Sequence, residues 1–349
     1  MKIKVLVLFS LVLTLAGCGQ TAAPPAGSNV LPQVFTAAAT GSPTTIAEIP
    51  ASPTATSMTS TAAPAPAPAT ATAPVRTPGS DQPSAKFDAA RAFGDVQAQM
   101  QWVPRSPGTD GWRQTGDYIV NQLKASGWTV EEQRFPYKDV EARNIVGRRG
   151  SGPVLIFGAH YDTRRVADSD PDPAKRTLPV PGANDGASGV AVLLELARVL
   201  QPETLGREIQ LAFFDVEDNG WLDGWEWAAG SRYMAEHLTV QPEAVVIVDM
   251  VGDADLQLYY ETNSTQTLRE SIWATGAALG FRQFIPELRH TMIDDHTAFL
   301  EQNIPAVDII DFDYPSWHTV EDDLDKVSAE SLGAVGQTLE VWLLSGQAP

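Results

Sequence analysis

The sequence predicts an α/β fold: a single domain on a mostly parallel, twisted, mixed sheet with helices on both faces. Three observations carry that expectation. Uninterrupted apolar runs at 153–159, 208–214 and 244–248 read as strands buried on both faces, as a parallel sheet requires. Stretches with apolar residues at helical spacing, at 190–200, 266–279 and 328–344, alternate with those runs along the chain. Acidic and histidine residues stand just past the carboxyl ends of the runs, where open α/β sheets place their functional groups.

The chain starts Met-Lys-Ile-Lys and continues with an apolar run from Val5 to Ala16. That is a signal peptide over 1–18, too short for an ordinary membrane span. It ends Leu15-Ala16-Gly17-Cys18, which resembles the bacterial lipoprotein cleavage and lipidation site. Cys18 is the only cysteine, so the mature chain can form no internal disulfide. The expectation is a protein of the bacterial cell envelope, outside the cytoplasm, touching the membrane through its lipid anchor only. Residues 19–86 are rich in Ala, Pro, Thr and Ser and cannot build a core, so they read as a disordered linker. Its reach is on the order of 45 Å as a coil and 200 Å as polyproline II. The remainder, 87–349, suits one large domain. A net charge of −19 argues against nucleic acid as a partner.

Within that domain, Ala89, Ala92, Phe93, Val96, Met100 and Val103 predict a helix ended by Pro104. A second helix is expected over 116–126, capped by Asp110 or Thr115 and stopped by Gly127. Strands follow at 129–136, 142–148 and 153–159, the last leading into His160-Tyr161-Asp162. After a polar, Pro-rich loop at 164–181, small residues allow close packing around Asp185 before the helix at 190–200. The strand at 208–214 runs into Glu217-Asp218, and Asn219-Gly220 then forces a turn. A loop with Trp221, Trp225 and Trp227 leads to Gly230-Ser231-Arg232 and a helix to His237. The strand at 244–248 ends at Asp249, and a further strand is expected at 256–260 before the helix at 266–279. Asp294-Asp295-His296 precedes a short helical segment. A strand at 306–310 and a loop ending in Trp317-His318 come before the closing helix.

Glu217 and Asp218 are adjacent carboxylates that repel one another and resist ionisation when desolvated. A bound cation would offset that, and so would simple solvation at the start of a loop; that stretch alone leaves both open. His160, Asp185, Asp218, Asp249 and His318 all occupy strand ends or small-residue turns. A His and carboxylate set without thiolate suits catalytic zinc, and two Asp with one His would neutralise Zn²⁺. Glu217, beside a ligand but not needed as one, is then placed for general acid/base work.

Several motifs stand in order: Arg105-Ser106-Pro107-Gly108-Thr109, Gly158-Ala159-His160-Tyr161-Asp162, Gly182 to Gly189, and Phe213 to Asp218. Gly230-Ser231-Arg232, Asp249 to Gly252, Asp294-Asp295-His296 and Trp317-His318-Thr319 continue the series. Over most of 100–345 the chain resembles the family M28 zinc aminopeptidases and, in the same superfamily, the glutaminyl-peptide cyclotransferases. The resemblance implies the fold of the zinc aminopeptidase/phosphorylase-hydrolase group. It implies, for a dinuclear peptidase, one zinc on His160 and Asp249 and another on Asp218 and His318, with Asp185 bridging and Glu217 activating water. For a cyclase it implies one zinc on Asp185, Asp218 and His318. Glu217 then takes a proton from the substrate α-amine and passes one to departing ammonia, Asp294 assists through a hydrogen bond, and Asp249 lies near the amine. Trp317 would give a flat apolar wall for a small side chain.

Asp294-Asp295-His296 and Trp317-His318 stand where peptidases usually show Ser-Asp-His and Tyr-His, which favours the cyclase. Asp308 stands where animal cyclases place histidine, and Asp218 replaces a more common Glu. The expected function is therefore a zinc enzyme acting on free peptide or protein N-termini, cyclising N-terminal Gln to pyroglutamate. The alternative is an M28 aminopeptidase, and a third reading is an inactive peptide-binding lipoprotein. Among remaining residues, Asp162 is expected to orient His160, His296 to hydrogen-bond near the site, and Asp215 to cap a neighbour. His237, His290 and the run Glu321-Asp322-Asp323 are expected at the solvated surface. The three loop tryptophans fit a substrate mouth and a local core equally.

Overall fold

Alternate side chains of the apolar runs point to opposite faces, and both faces are covered. The computed structural model describes residues 85–349. In chain order it contains α1 (Ala89–Gln99), α2 (Asp110–Ala125), β1 (Thr129–Tyr137), β2 (Val140–Gly150), β3 (Val154–His160), α3 (Ala187–Val199), β4 (Glu208–Phe214) and α4 (Ala229–Glu236). There follow β5 (Ala244–Asp249), β6 (Leu258–Glu261), α5 (Gln266–Leu279), β7 (Phe284–His290), α6 (Asp295–Glu301), β8 (Ala306–Ile310) and α7 (Ala329–Leu344). Six strands form one sheet in the order β1-β2-β4-β3-β5-β8, and β6 pairs with β7 in a separate parallel ribbon. The four central and far-edge strands run parallel, while β1 and β2 add an antiparallel hairpin at one edge.

On one face Leu155, Phe157, Leu211, Val246 and Ile309 join α1, α2, α3, α5 and α7 in the larger core. On the other, Ile156, Ala212, Phe214 and Ile247 pack against Met234 of α4 and Phe299 of α6. Every residue of β3 and β5 is buried, which is why those strands show no polar alternation in sequence. Because β3, β4, β5 and β8 are parallel, their carboxyl ends share one edge of the sheet. The register sets His160 opposite Phe214 and Asp249 opposite Ile310.

The elements differ from expectation in two instructive places. Helix α2 starts at Asp110, six residues earlier than the predicted 116, because Thr109 Oγ1 accepts from Trp112 N at 3.2 Å and caps it. Gly116 is a helix-interior residue that leaves room for an arginine: a Cβ there would meet Arg143 Nη2 at 1.9 Å. Strand β7 was not expected from the sequence; most of it is exposed, so it carries no apolar run. The expected signal peptide at 1–18, Cys18 and all but the last two residues of the linker at 19–86 lie outside the described residues. Lys86 N and Phe87 N each donate to Glu340 Oε2 at 2.8 Å, tying the start of the domain to α7. Among the described residues, no helix is long and apolar enough to cross a membrane.

Candidate metal centre

Five backbone segments converge on the carboxyl edge of the sheet. Strands β3 and β5 simply end there, delivering His160 and Asp249 as buried side chains. Strand β4 needs more support, since its exit puts Val216 in the left-handed region at φ 52°, costly for a β-branched residue. Asp215 holds that exit by accepting from Trp112 Nε1 (2.8 Å), Arg143 N (2.6 Å) and Val216 N (2.8 Å). Asp162 holds the next step, accepting from Glu217 N at 3.0 Å, Asp218 N at 3.4 Å and Asn219 Nδ2 at 3.3 Å. This corrects the expectation for Asp162: its carboxylate lies 3.8 Å from His160 Nδ1, and its bonds go to the turn that presents Glu217 and Asp218.

The fourth segment carries Asp185. Gly186 lies so close to His160 that a Cβ would sit 2.6 Å from its Cε1 and Nε2. Arg105, fully buried, donates to Pro181 O at 2.9 Å and Gly182 O at 2.7 Å. From the other side, Asp322 accepts from Asn184 N at 2.8 Å and Asp185 N at 3.1 Å, and from Tyr314 Oη at 2.7 Å. The surface expectation for Asp322 is therefore wrong: it is 0% exposed, buried because three donors converge on it.

The fifth segment ends in His318, whose ring stacks with two indoles. Trp317 stacks on it with ring centroids 3.7 Å apart and Trp227 stacks at 5.9 Å. Sequence reasoning missed Arg164, which it assigned to a polar loop. Its guanidinium lies over Trp227, 5.0 Å from the ring centroid, donates to Asp218 O at 3.0 Å, and pairs with Asp168 at 2.6 Å. Asp168 Oδ1 in turn stands 3.7 Å from His318 Nδ1. The only sequence signal was an Arg and an Asp four residues apart.

Three buried sets of ligand atoms stand close enough together to hold an ion: His160, Asp185 and Asp249; Asp185, Asp218 and His318, which shares Asp185 with the first; and, beside them, Asp294, His296 and Asp308. His160 Nε2 lies 3.0 Å from Asp185 Oδ1 and 3.2 Å from Asp249 Oδ1. His318 Nε2 lies 2.8 Å from Asp218 Oδ1 and 3.6 Å from Asp185 Oδ2. Tetrahedral zinc with ligands at about 2.1 Å has an edge of about 3.4 Å, so these separations fit. Asp185 Oδ2 and Asp218 Oδ2 are buried without a hydrogen-bond partner, as atoms meant for a cation would be. Every residue expected as a ligand is thus brought together. Glu217 stands apart from all three sets, with Oε2 3.9 Å from His160 Nδ1.

Electrostatics point the same way. Burial pushes the Asp218 carboxyl up to about 6, with Asp185 adding repulsion, and pushes Asp249 to about 7 against the pull of His160. Burial lifts Glu217 well above the usual range; His160 opposes this, while Asp294 and Asp218 add to it. Asp185 goes the other way, because His160 and His318 outweigh its burial. Such an excess of buried carboxylates over histidines calls for bound positive charge.

Beside the ligands lies a cavity of about 310 Å³, lined by Glu217, Asp294, Trp227, Ile310, Phe312 and Trp317 among others. Asp294 Oδ2 is buried there without a partner. His296 sits between Glu261 (3.2 Å) and Asp308 (3.6 Å), outside the two sets that share Asp185 but within the set of Asp294, His296 and Asp308. The tryptophans divide: Trp225 is buried in a local core, Trp227 reaches the site, and Trp221 stands exposed at the rim. Of the other histidines, His237 is exposed, whereas His290 lies in β7 with its Nε2 3.3 Å from Asp313.

The family model for peptidase family M28 matches residues 144–343. The crystal structure of Porphyromonas gingivalis glutaminyl cyclase is similar at 34% identity and a TM-score of 0.71, covering 76% of this chain and 100% of that one. A leucine aminopeptidase precursor from Bacteroides thetaiotaomicron is similar at 32% identity and a TM-score of 0.70, covering 74% of this chain and 98% of that one. The YfbL protein of Escherichia coli is 33% identical over 155 residues, so the match spans 44% of this chain and about half, 46%, of that relative.

Proposed function

This chain belongs to peptidase family M28 and is an enzyme of that zinc-dependent group, and from that premise we propose that it cyclises N-terminal glutamine to pyroglutamate with release of ammonia. The observation that carries this reading is that two carboxyl residues, Glu217 and Asp294, line one largely apolar cavity beside the candidate ligands. Either reaction needs one proton carrier, here Glu217; cyclisation also has a use for the second carboxyl, Asp294, as a hydrogen-bond partner for the side-chain amide folded back toward the amine.

In this reading the substrate's α-amine nitrogen bonds to its own γ-carboxamide carbon, and the carbon–nitrogen bond to the leaving amide breaks. Asp185, Asp218 and His318 would hold a zinc ion, which would supply Lewis-acid polarisation of the amide carbonyl. Glu217 takes the proton shed by the amine and delivers it to the departing nitrogen, which leaves as ammonia. Asp294 hydrogen-bonds the substrate amide, and Asp249 faces the amine. Trp317 and Trp227 brace His318 and wall the pocket, holding the short side chain folded back on its amine, where proximity gives most of the rate gain.

One observation favours a second reading, removal of an N-terminal residue by hydrolysis. The set of His160, Asp185 and Asp249 is complete, so the chain offers ligands for a second zinc. The third expectation, an inactive peptide-binding scaffold, has no support in the site, since all five ligands and Glu217 are in place. Offering the purified protein a Gln-led peptide and a Leu-led chromogenic amide tests the choice. Ammonia release without amide cleavage is expected; amide cleavage without ammonia release overturns the cyclase reading in favour of the peptidase. Zinc per chain, one or two, gives an independent measure. We also propose, from the sequence, that Cys18 is lipidated and anchors the enzyme in the bacterial envelope, so that C18S moves it to the soluble fraction.

A further inference from the structure

A peptide whose first residue fills the zinc cavity must lead its remaining residues out over the rim, and the rim here is not polar. Trp221 is 79% exposed and Ile293 61%, the most exposed large apolar side chains among the described residues. Both line the zinc cavity and also a second, open cleft of about 450 Å³, whose other walls include Trp225 and Trp227. The two clefts are therefore neighbours that share Trp221, Trp227 and Ile293 as walls, with Trp221 and Ile293 forming the exposed partition between them.

That partition is built to stay in place. Trp221 adopts φ 65°, a strained conformation for a bulky residue. It is held by its N–H donating to Trp225 O at 2.8 Å and by its ring meeting Trp227 edge-on at 5.6 Å. Holding a large indole out in water at such a cost is unexpected unless something covers it. The charges nearby are already engaged. Arg232 pairs with Glu301, while Arg165 lies 4.6 Å over Trp225 and 3.6 Å from Asp223. The cleft also carries the carboxylate of Glu226. It thus offers apolar contact and no uncommitted cation for an acidic side chain.

We propose that this second cleft is a subsite for the residue that follows the N-terminal residue of the substrate, and that it selects an apolar or aromatic side chain there over a small or acidic one. The proposal rests on the reading that free peptide N-termini are the substrates, but holds for either reaction.

The test uses zinc-loaded Glu217→Gln full-length protein, so that binding is read without turnover. Calorimetry compares Gln-Phe-Ala-amide with Gln-Gly-Ala-amide and Gln-Asp-Ala-amide, and the same three peptides led by Leu. In whichever series binds, the Phe peptide is expected to bind about tenfold tighter than the Gly peptide, the effect of one partly covered aromatic side chain. Trp221→Ala should bring that ratio close to one, and Ile293→Ser should lower it in the same direction if Trp221→Ala does not fold. Equal binding of Phe and Gly peptides, an unchanged ratio in both variants, or no binding in either series overturns the proposal. Selective binding accompanied by no turnover in the wild-type enzyme would leave the subsite standing and overturn the proposed reaction instead.

Discussion

Asp322 offers the sharpest test of how the shared ligand is held. Its two carboxylate oxygens accept from the backbone N–H groups of Asn184 and Asp185, and its own carbonyl accepts from Ala183 N at 3.1 Å. Three consecutive peptide groups leading to the shared Asp185 are thereby bonded to one residue. Asp322→Asn keeps the shape but has one oxygen, so either Asn184 N–H or Asp185 N–H must face an amide NH₂. Tyr314 fixes the choice: its hydroxyl and Asn184 N share Oδ1, so the oxygen stays there and Asp185 N–H loses its partner. A lost hydrogen bond to a charged acceptor is worth about 1.5–3 kcal/mol. Transmitted to the ligand, that is about 10- to 100-fold in zinc affinity, the range typical of groups that orient metal ligands. Global stability should change less. Burial and the repulsion of Asp185 already push the Asp322 carboxyl up to about 7, so replacing it by a neutral amide removes a penalty as well as a bond. The assay is zinc competition against a chromophoric chelator, with thermal unfolding of the apoprotein alongside. An Asp322→Asn variant that binds zinc as tightly as the wild type would refute the reasoning.

Three further predictions follow from the site. Glu217→Gln should abolish turnover while metal analysis still finds the wild-type zinc content; a variant with near-normal rate would remove Glu217 from the chemistry. His318→Ala should lose the zinc shared with Asp185 and Asp218, and with it activity, so an alanine variant keeping both shows that another residue is the ligand. Glu261 gives the pH dependence: burial works to raise its carboxyl, but His296 and the backbone N–H groups of Asn263 and Met292 outweigh it and hold it at about 2. A depressed carboxyl contributes stability that is fully present above the unfolded value of about 4.3 and is lost as pH falls toward 2. The melting-temperature gap between wild type and Glu261→Gln should therefore be widest at neutral pH and shrink below pH ~4.5; a constant gap would contradict the assignment.

The ligands were legible because each stands where local chemistry shows: at the end of a fully apolar strand, or in a run of small residues that only close packing explains. The continuous runs of β3, β4 and β5 announced a sheet covered on both faces, and their parallel order gathers His160 and Asp249 at one edge. What could not be read were partnerships made across long stretches of chain. Asp322 sits in an acidic run that looks solvated, and its partner Asn184 lies 138 residues away. Asp162 was correctly placed near His160, yet it serves the turn after β4, which a register of His160 against Phe214 brings alongside. The loop tryptophans could not be sorted because exposure depends on how the loop folds back. Trp225 turns into a small core with Phe135 and Val216, and that leaves Trp221 outside.

Both proposed reactions use Asp185, Asp218 and His318 as ligands, so those three cannot by themselves decide between them. What separates them is the nucleophile: the substrate's own amine or a water molecule. An amine on the substrate needs only to be held near its side-chain amide, which gives it an effective concentration that free water cannot match. Holding it there is a matter of the cavity walls. Trp317 and Trp227 both stack with His318, so the wall and the ligand are one packed unit. Arg164 extends that unit to the backbone of Asp218 and to Asp168 behind His318. A change to the wall therefore moves the ligands too, and a change to the ligands loosens the wall. Substitutions at Trp317, Trp227 or Arg164 are therefore expected to change zinc affinity as well as substrate preference, and a variant that alters one alone would show that wall and ligands are not coupled.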